Sequence, residues 1–187
     1  MLVEVHATSA LHVPSECPTI QAAIDAAVPG DEVVIADGVY TGAGNRNLDL
    51  HGLPIKVRSA SGNPTTCIVD CDGSGRGFTF HSRESAASCV QGLTIRNGST
   101  GGVSCINHSH PTLRNCVITG NTASNGSGGG VYCAYSSPAL TDCVITNNMT
   151  IFDGGGVCCS FYSSPTLTGC TLTGNAADNG GAVHCSR

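Results

Sequence analysis

Pro111-Thr112-Leu113-Arg114-Asn115-Cys116-Val117-Ile118-Thr119-Gly120-Asn121 is written three times in this chain. It returns as Pro138-Ala139-Leu140-Thr141-Asp142-Cys143-Val144-Ile145-Thr146-Asn147-Asn148, and again as Pro165-Thr166-Leu167-Thr168-Gly169-Cys170-Thr171-Leu172-Thr173-Gly174-Asn175. Proline, cysteine and the final asparagine each recur at 27 residues. Between the copies runs a second phrase: Gly102-Val103-Ser104-Cys105, Gly130-Val131-Tyr132-Cys133, Gly156-Val157-Cys158-Cys159 and Gly181-Ala182-Val183-His184-Cys185. Its cysteines step by 28, 26 and 26 residues. A fixed period of this size signals a solenoid, in which each repeat buries its apolar face against the next.

The content of the repeat excludes helical solenoids, because Gly, Asn, Pro, Thr and Val dominate and no run of helix formers occurs. Apolar residues alternate instead. Leu140, Cys143 and Ile145 fall on one side and Val144 and Thr146 on the other, while Val131 and Cys133 oppose Tyr132 and Ala134. Period two predicts strands. Short strands joined by Gly/Asn corners, once per coil of about 27 residues, predict an all-β, right-handed parallel β-helix of about six coils stacked about 4.8 Å apart. Like residues then form ladders along the axis: Cys116, Cys143 and Cys170; Cys105, Cys133, Cys159 and Cys185; and, at a corner, Asn121, Asn148 and Asn175. Asparagine suits a corner because it tolerates the left-handed conformation and because its amide can bond its own image one coil away. The Gly-Gly runs before each valine are expected to supply another corner where φ is positive.

At 187 residues the chain has enough length for a real core. Charged residues are 11% of the total, Lys and Arg number 8, and the net charge is −5. That balance argues against nucleic acid and against anionic membrane surfaces. No apolar run approaches the length of a membrane span. Met1–Ala10 has no basic n-region followed by an apolar h-region, so no signal peptide is expected in this sequence. For the 12 cysteines two readings compete. Buried thiols of core size suit the ladders, whereas in-register stacked cysteines point in parallel and suit a disulfide poorly. Cys67 with Cys71, or Cys158 with a neighbour, would pair more readily. No CxxC pair points to zinc.

Residues 1–30 read as a lead-in and a cap, and 31–187 as the β-helix, regular from about 101. His6 and His12 read as surface residues, and Ala10–Val13 as a candidate first strand. Ile20, Ala23, Ile24 and Ala27 fall at i, i+3, i+4 and i+7, one face of a helix over residues 18–28 that Pro29-Gly30 ends. A solenoid needs such a cover for its first coil. From Glu32-Val33-Val34-Ile35 onward the chain reads as strands and corners. Val90–Gly98 is a degenerate copy of the repeat, with Ile95 in the place of Ile118 and Asn97 near the asparagine ladder.

Three stretches carry a resemblance. Pro18-Thr19-Ile20-Gln21-Ala22-Ala23-Ile24-Asp25-Ala26-Ala27, Gly30-Asp31-Glu32-Val33-Val34-Ile35-Ala36-Asp37-Gly38-Val39-Tyr40 and Leu93-Thr94-Ile95-Arg96-Asn97-Gly98 resemble the pectin-lyase-like right-handed parallel β-helix superfamily, in its Cys- and Gly-rich bacterial surface repeat type. The resemblance spans residues 18–187 and implies the fold. It implies no single activity, since the superfamily hosts lyases, hydrolases, epimerases, adhesins and phage tailspikes. It also implies an extracellular or cell-surface location. Lyase relatives hold Ca²⁺ with clustered carboxylates and use Arg or Lys as base, and hydrolase relatives use carboxylate pairs.

No such motif carries over residue by residue. The low-lying catalytic candidates are Asp70, Asp72, Arg76 and Arg96. Asp70-Cys71-Asp72-Gly73-Ser74-Gly75-Arg76 reads either as a Ca²⁺ or substrate loop or as a polar corner. Asp142 aligns with Asn115 and Gly169, so its column is not acidic. His108 and His110 read either as a metal pair or as a solvated loop. Asn125, Asp153 and Asp178 precede glycines without the spacing of a calcium nonapeptide. No metal site or resident cofactor is expected, calcium being the one candidate. With four Tyr, four Phe and no Trp in all, the cluster Tyr132, Tyr135, Phe161 and Tyr162, with His184, reads either as a ligand-binding strip or, for Tyr135 and Phe161, as packing under the corner before Ser-Ser-Pro. The leading expectation is a non-catalytic surface module that binds polysaccharide or cell-surface glycan, or serves as an adhesin or stalk. A polysaccharide lyase or glycoside hydrolase with its site in the early coils is the alternative. A third reading is a scaffold assembling end to end, with two copies pairing through the last coil.

Overall fold

The computed structural model describes residues 8–186; His6 and the rest of Met1–Ala7 lie outside the described residues. Three parallel sheets wind about one axis. The first holds seven strands: Ala10–Val13, Glu32–Ile35, Lys56–Ser59, Cys89–Gln91, Thr112–Arg114, Ala139–Thr141 and Thr166–Thr168. The second holds six, from Gly38–Tyr40 through Val117–Thr119 to Thr171–Thr173, and the third six, from Leu48–Asp49 through Val131–Ala134 to Val183–Cys185. The seventh rung arises because Ala10–Val13, placed in the lead-in by its sequence, pairs with Glu32–Ile35. The rest of that first turn is helix α1, Ile20–Ala26, capped by Thr19, whose hydroxyl accepts from the Ala22 amide at 3.2 Å. Its buried face, Ile20, Ala23 and Ile24, packs on the first strands of the first and third sheets.

Inward residues stack in register. Val57, Val90, Leu113, Leu140 and Leu167 form one row, and Val69, Ile95, Ile118, Ile145 and Leu172 another. Full burial of each Leu or Ile contributes roughly 1.5–3 kcal/mol. In the third sheet Phe80 aligns with Cys105, so the ladder Cys105, Cys133, Cys159 and Cys185 begins where an aromatic ends. All 12 cysteines are free thiols. In the other ladder each thiol caps a carbonyl: Cys116 donates to Arg114 O at 3.2 Å, Cys143 to Thr141 O at 3.4 Å and Cys170 to Leu140 O at 3.5 Å. Burial pushes the Cys67 thiol up to about 12 and the Cys71 thiol up to about 11.

The asparagine ladder forms, and its backbone differs from the expectation. Asn121 Nδ2 donates to Asn148 Oδ1 at 2.9 Å, and Asn148 Nδ2 to Asn175 Oδ1 at 3.0 Å. Left-handed φ falls one residue earlier, at Asn97, Gly120, Asn147 and Gly174. Asn97 therefore sits beside the ladder, and the Gly98 amide donates to Asn121 Oδ1 at 2.8 Å in the coil above. The Gly-Gly runs differ in the same way. Only their leading glycines, Gly101, Gly128, Gly154 and Gly180, have positive φ. The glycines next to each valine are required by close approach: a Cβ on Gly130 would lie 2.6 Å from Gly156 O.

Candidate functional site

The third sheet and its two flanking corners gather the functional side chains. Its outward column runs Asp49, Thr79, Ser104, Tyr132, Cys158 and His184, each in register with the next. The column is not the bare strip its sequence implies. The turns around Thr122–Ala123 and Met149–Thr150, which pair as a small extra sheet, flank it. Ser104 and Cys158 are buried. Tyr132 is half-buried, and burial raises its phenol above the ordinary tyrosine range.

At the corner after this sheet, His108, Tyr135 and Phe161 stack along the axis. The His108 amide donates to Tyr135 O at 3.0 Å and the Tyr135 amide to Phe161 O at 3.1 Å, so the three lie one coil apart. The Tyr135 and Phe161 rings are stacked with centroids 5.2 Å apart, and His108 is tilted against Tyr135 at 6.0 Å. Tyr135 and Phe161 remain 45% and 47% exposed, and Tyr162 is 82% exposed. All four residues have left-handed backbones, with φ of 62°, 52°, 51° and 61° for His108, Tyr135, Phe161 and Tyr162. For a non-glycine side chain that conformation costs roughly 1–2 kcal/mol per residue. The aromatic column opens toward a depression of about 480 Å³ lined by His81, Ser82, Arg83, Asn107, His108 and Tyr135.

The opposite flank carries a second cleft, of about 570 Å³, with Arg76, Thr100, Ser104, Asn125, Ser127 and Tyr132 in its wall. Burial pulls the Arg76 guanidinium below the ordinary arginine range. At the N-terminal end of the sheet, His51 links Asp25 of α1 at 3.0 Å to Asp49 at 3.2 Å, and Asp49 also receives His81 at 3.0 Å. This relay ties the helix to the sheet.

The four catalytic candidates do not converge on one open site. Arg96 Nε reaches Asp70 Oδ2 at 2.8 Å, while Asp70 Oδ1 accepts from Asn97 Nδ2 at 2.9 Å and from the Asp72 amide at 3.0 Å. Burial pushes the Asp70 carboxyl up, and these three partners outweigh it and hold it below 3.8. Asp70 and Arg96 lie on the second sheet, Asp72 is an exposed corner residue with φ of 51°, and Arg76 belongs to the cleft beside the third. Asp70–Arg76 is thus a corner whose one buried carboxylate is fully engaged. His108 and His110 also part: His108 stacks on Tyr135, and His110 Nδ1 accepts from the Ser137 amide at 2.9 Å. Among the described residues no group of three or more His, Cys, Asp or Glu side chains is placed to hold a metal ion. The binding candidates divide as well. Tyr135 and Phe161 come together, Tyr132 lines the Arg76 cleft, Tyr162 stands exposed beyond the stack, and His184 lies on the last coil.

A serine ladder escaped the sequence reading. Arg83 N donates to Ser109 Oγ, Ser109 N to Ser136 Oγ and Ser136 N to Ser163 Oγ, at 3.1, 3.0 and 3.1 Å. It pins the coils just beyond the aromatic column. Its signal is Ser-x-Pro at the 27-residue period: Ser109-His110-Pro111, Ser136-Ser137-Pro138, Ser163-Ser164-Pro165.

Among the described residues no helix is long and apolar enough to cross a membrane. Comparison with curated protein sequences finds no match. Among solved structures, the crystal structure of pectate lyase Pel9A is similar, with a TM-score of 0.60 and 18% identity over 80% of this chain and 40% of that one. At that identity the likeness shows the fold, the pectin-lyase-like parallel β-helix. The chain spans less than half the length of that structure. A family described as "right handed beta helix region" matches residues 37–187, and the chain belongs to it.

Proposed function

We propose that this chain is a glycan-binding β-helix module that works outside the cell or on its surface, without cleaving what it binds. The observation that carries the reading is the exposed column His108, Tyr135 and Phe161, with Tyr162 beyond it. Four non-glycine residues hold left-handed backbones, yet Tyr135 and Phe161 leave about half of their surface in water. Packing does not repay that strain, because the rings cover little of the core. The exposed edges of rings stacked at coil spacing form an apolar strip along which a sugar polymer can lie, and the depression at one end offers Asn107, His81 and Arg83 to sugar hydroxyls. The mutual engagement of Asp70 and Arg96, with Arg76 apart from them, supports the non-catalytic part.

The test is affinity electrophoresis in gels holding neutral or acidic polysaccharide, with and without Ca²⁺, with assay of released unsaturated and reducing ends. Retention without products is expected, and Tyr135→Ala abolishes the retention. Products from the wild-type protein would move the reading to the lyase or hydrolase class.

A further inference from the structure

The cleft beside Tyr132 contains two groups that the fold does not use. Among the described residues the Arg76 guanidinium has no hydrogen-bonding or ion-pairing partner; only its backbone is engaged, the amide donating to Asn47 Oδ1 at 3.0 Å and the carbonyl accepting from the Asn47 amide at 2.7 Å. The other arginine of the corner region that sits beside a carboxylate, Arg96, is spent on Asp70. Ser104 is 4% exposed, and its hydroxyl also has no partner among the described residues, so its remaining opening is into the cleft. The Ser104 hydroxyl and the partly desolvated guanidinium thus keep their hydrogen-bonding capacity for whatever enters the cleft. Around them stand Thr100, Asn125 and Ser127 from the same corner on neighbouring coils, and the Tyr132 ring. No carboxylate lines the cleft.

We propose that the Arg76 cleft binds a sulfate ester carried on a glycan. The charge selects a monoanion, since Arg76 is the single cation in the wall. A phosphate monoester carries about −1.5 to −2 at neutral pH and would leave charge unbalanced, whereas a sulfate ester keeps a single negative charge. The donors select the shape. A planar carboxylate is satisfied by the fork of one guanidinium. Here the Ser104 hydroxyl on the sheet and the Thr100 and Ser127 hydroxyls and Asn125 amide on the one flanking corner stand beside the guanidinium, which offers donors to more oxygens than a planar carboxylate has. The Tyr132 ring beside them is placed against the sugar that bears the ester. The proposal rests on the glycan-binding reading for its polymer and on Arg76 and Ser104 alone for its charged group.

The experiment is isothermal titration of wild type, Arg76→Gln and Tyr135→Ala with four probes: inorganic sulfate, a sulfated galactan, the same galactan after chemical desulfation, and a polygalacturonate. Thermal unfolding of each variant establishes that it is folded, and Arg76→Lys serves as a charge-preserving variant should Arg76→Gln lose its structure. The expected result is at least tenfold tighter binding of the sulfated than of the desulfated galactan by wild type. Arg76→Gln erases that ratio, and Arg76→Lys reduces it. Polygalacturonate bound as tightly as the sulfated polymer, a ratio that survives in folded Arg76→Gln, or binding of inorganic sulfate without any preference for the sulfated polymer would each overturn the proposal. Failure of the glycan reading is separable: Tyr135→Ala then leaves binding of the desulfated galactan unchanged, while inorganic sulfate still depends on Arg76.

Discussion

Two columns of like residues run along this solenoid, and they face opposite ways. Asn121, Asn148 and Asn175 point inward at the corner after the second sheet, and their amides are consumed by one another and by the carbonyls of Ile95, Ile118 and Ile145. His108, Tyr135 and Phe161 point outward at the corner after the third, with their rings set against one another. The asparagine ladder keeps extended or right-handed backbones and passes the left-handed position to its neighbour, mostly Gly or Asn. The aromatic column takes the left-handed position itself. A column whose groups are all satisfied belongs to the fold. A column that is exposed and takes the left-handed position itself is the one assigned to the proposed glycan.

The contrast can be broken most severely at the asparagine ladder. Asn148→Ala removes an amide that accepts from Asn121 N and Nδ2 at 3.1 and 2.9 Å and donates to Ile118 O at 2.9 Å. Buried groups left without partners cost about 1–3 kcal/mol each, so urea unfolding should show a loss of about 3 kcal/mol or more. A smaller effect is expected at Gly130→Ala, where the new Cβ meets Gly156 O at 2.6 Å in the next coil. Overpacking of this kind costs about 1–3 kcal/mol, readable as a lowered thermal midpoint. The aromatic column should respond in the opposite sense: Phe161→Gly relieves a left-handed backbone and loses one exposed ring stack worth about 0.5–1.5 kcal/mol. Its unfolding free energy should stay within about 1 kcal/mol of wild type.

The same division between satisfied interior and exposed surface governs the thiols. Iodoacetamide at neutral pH should label Cys185 first, because it is exposed on the last coil, and leave Cys105, Cys133, Cys116 and Cys143 unmodified until the protein unfolds. The pH dependence follows in sign. Cys67 and Cys71 have thiols raised by burial from 9.0 to about 12 and about 11, so the fold favours their neutral form. Their contribution is fully present below the unfolded value near 9.0 and is lost as pH rises through 11 to 12. Urea midpoints measured from pH 8 to pH 11 should fall, and Cys67→Ala should flatten the decline.

The repeat phrases made the fold legible because a parallel coil repeats its environment: one register of Leu113, Leu140 and Leu167 is enough to place three rungs. The asparagine and cysteine ladders were legible for the same reason. Their backbone was not, since period alone does not say which of Gly120-Asn121 or Asn147-Asn148 takes the left-handed turn. The strand of the seventh rung was legible as the candidate Ala10–Val13, but its place as a rung was not, because no repeat in the sequence marks Glu32–Ile35 as its partner. The candidate site was half legible. Tyr135 and Phe161 stood out by rarity, but the cleft joins Arg76 to Tyr132 across coils whose sequences share no pattern, and the turns that flank Ser104 are insertions whose packing no spacing reveals.

The account turns on whether the aromatic column holds a sugar polymer. Saturation-transfer difference NMR on a neutral oligosaccharide, with wild type and the double variant Tyr135→Ala/Phe161→Ala, tests this directly. The account predicts transfer to the ring protons of successive sugars in wild type, and none in a double variant that keeps its fold. Equal transfer in both proteins, or none from wild type to any glycan in a neutral and acidic panel, would contradict it.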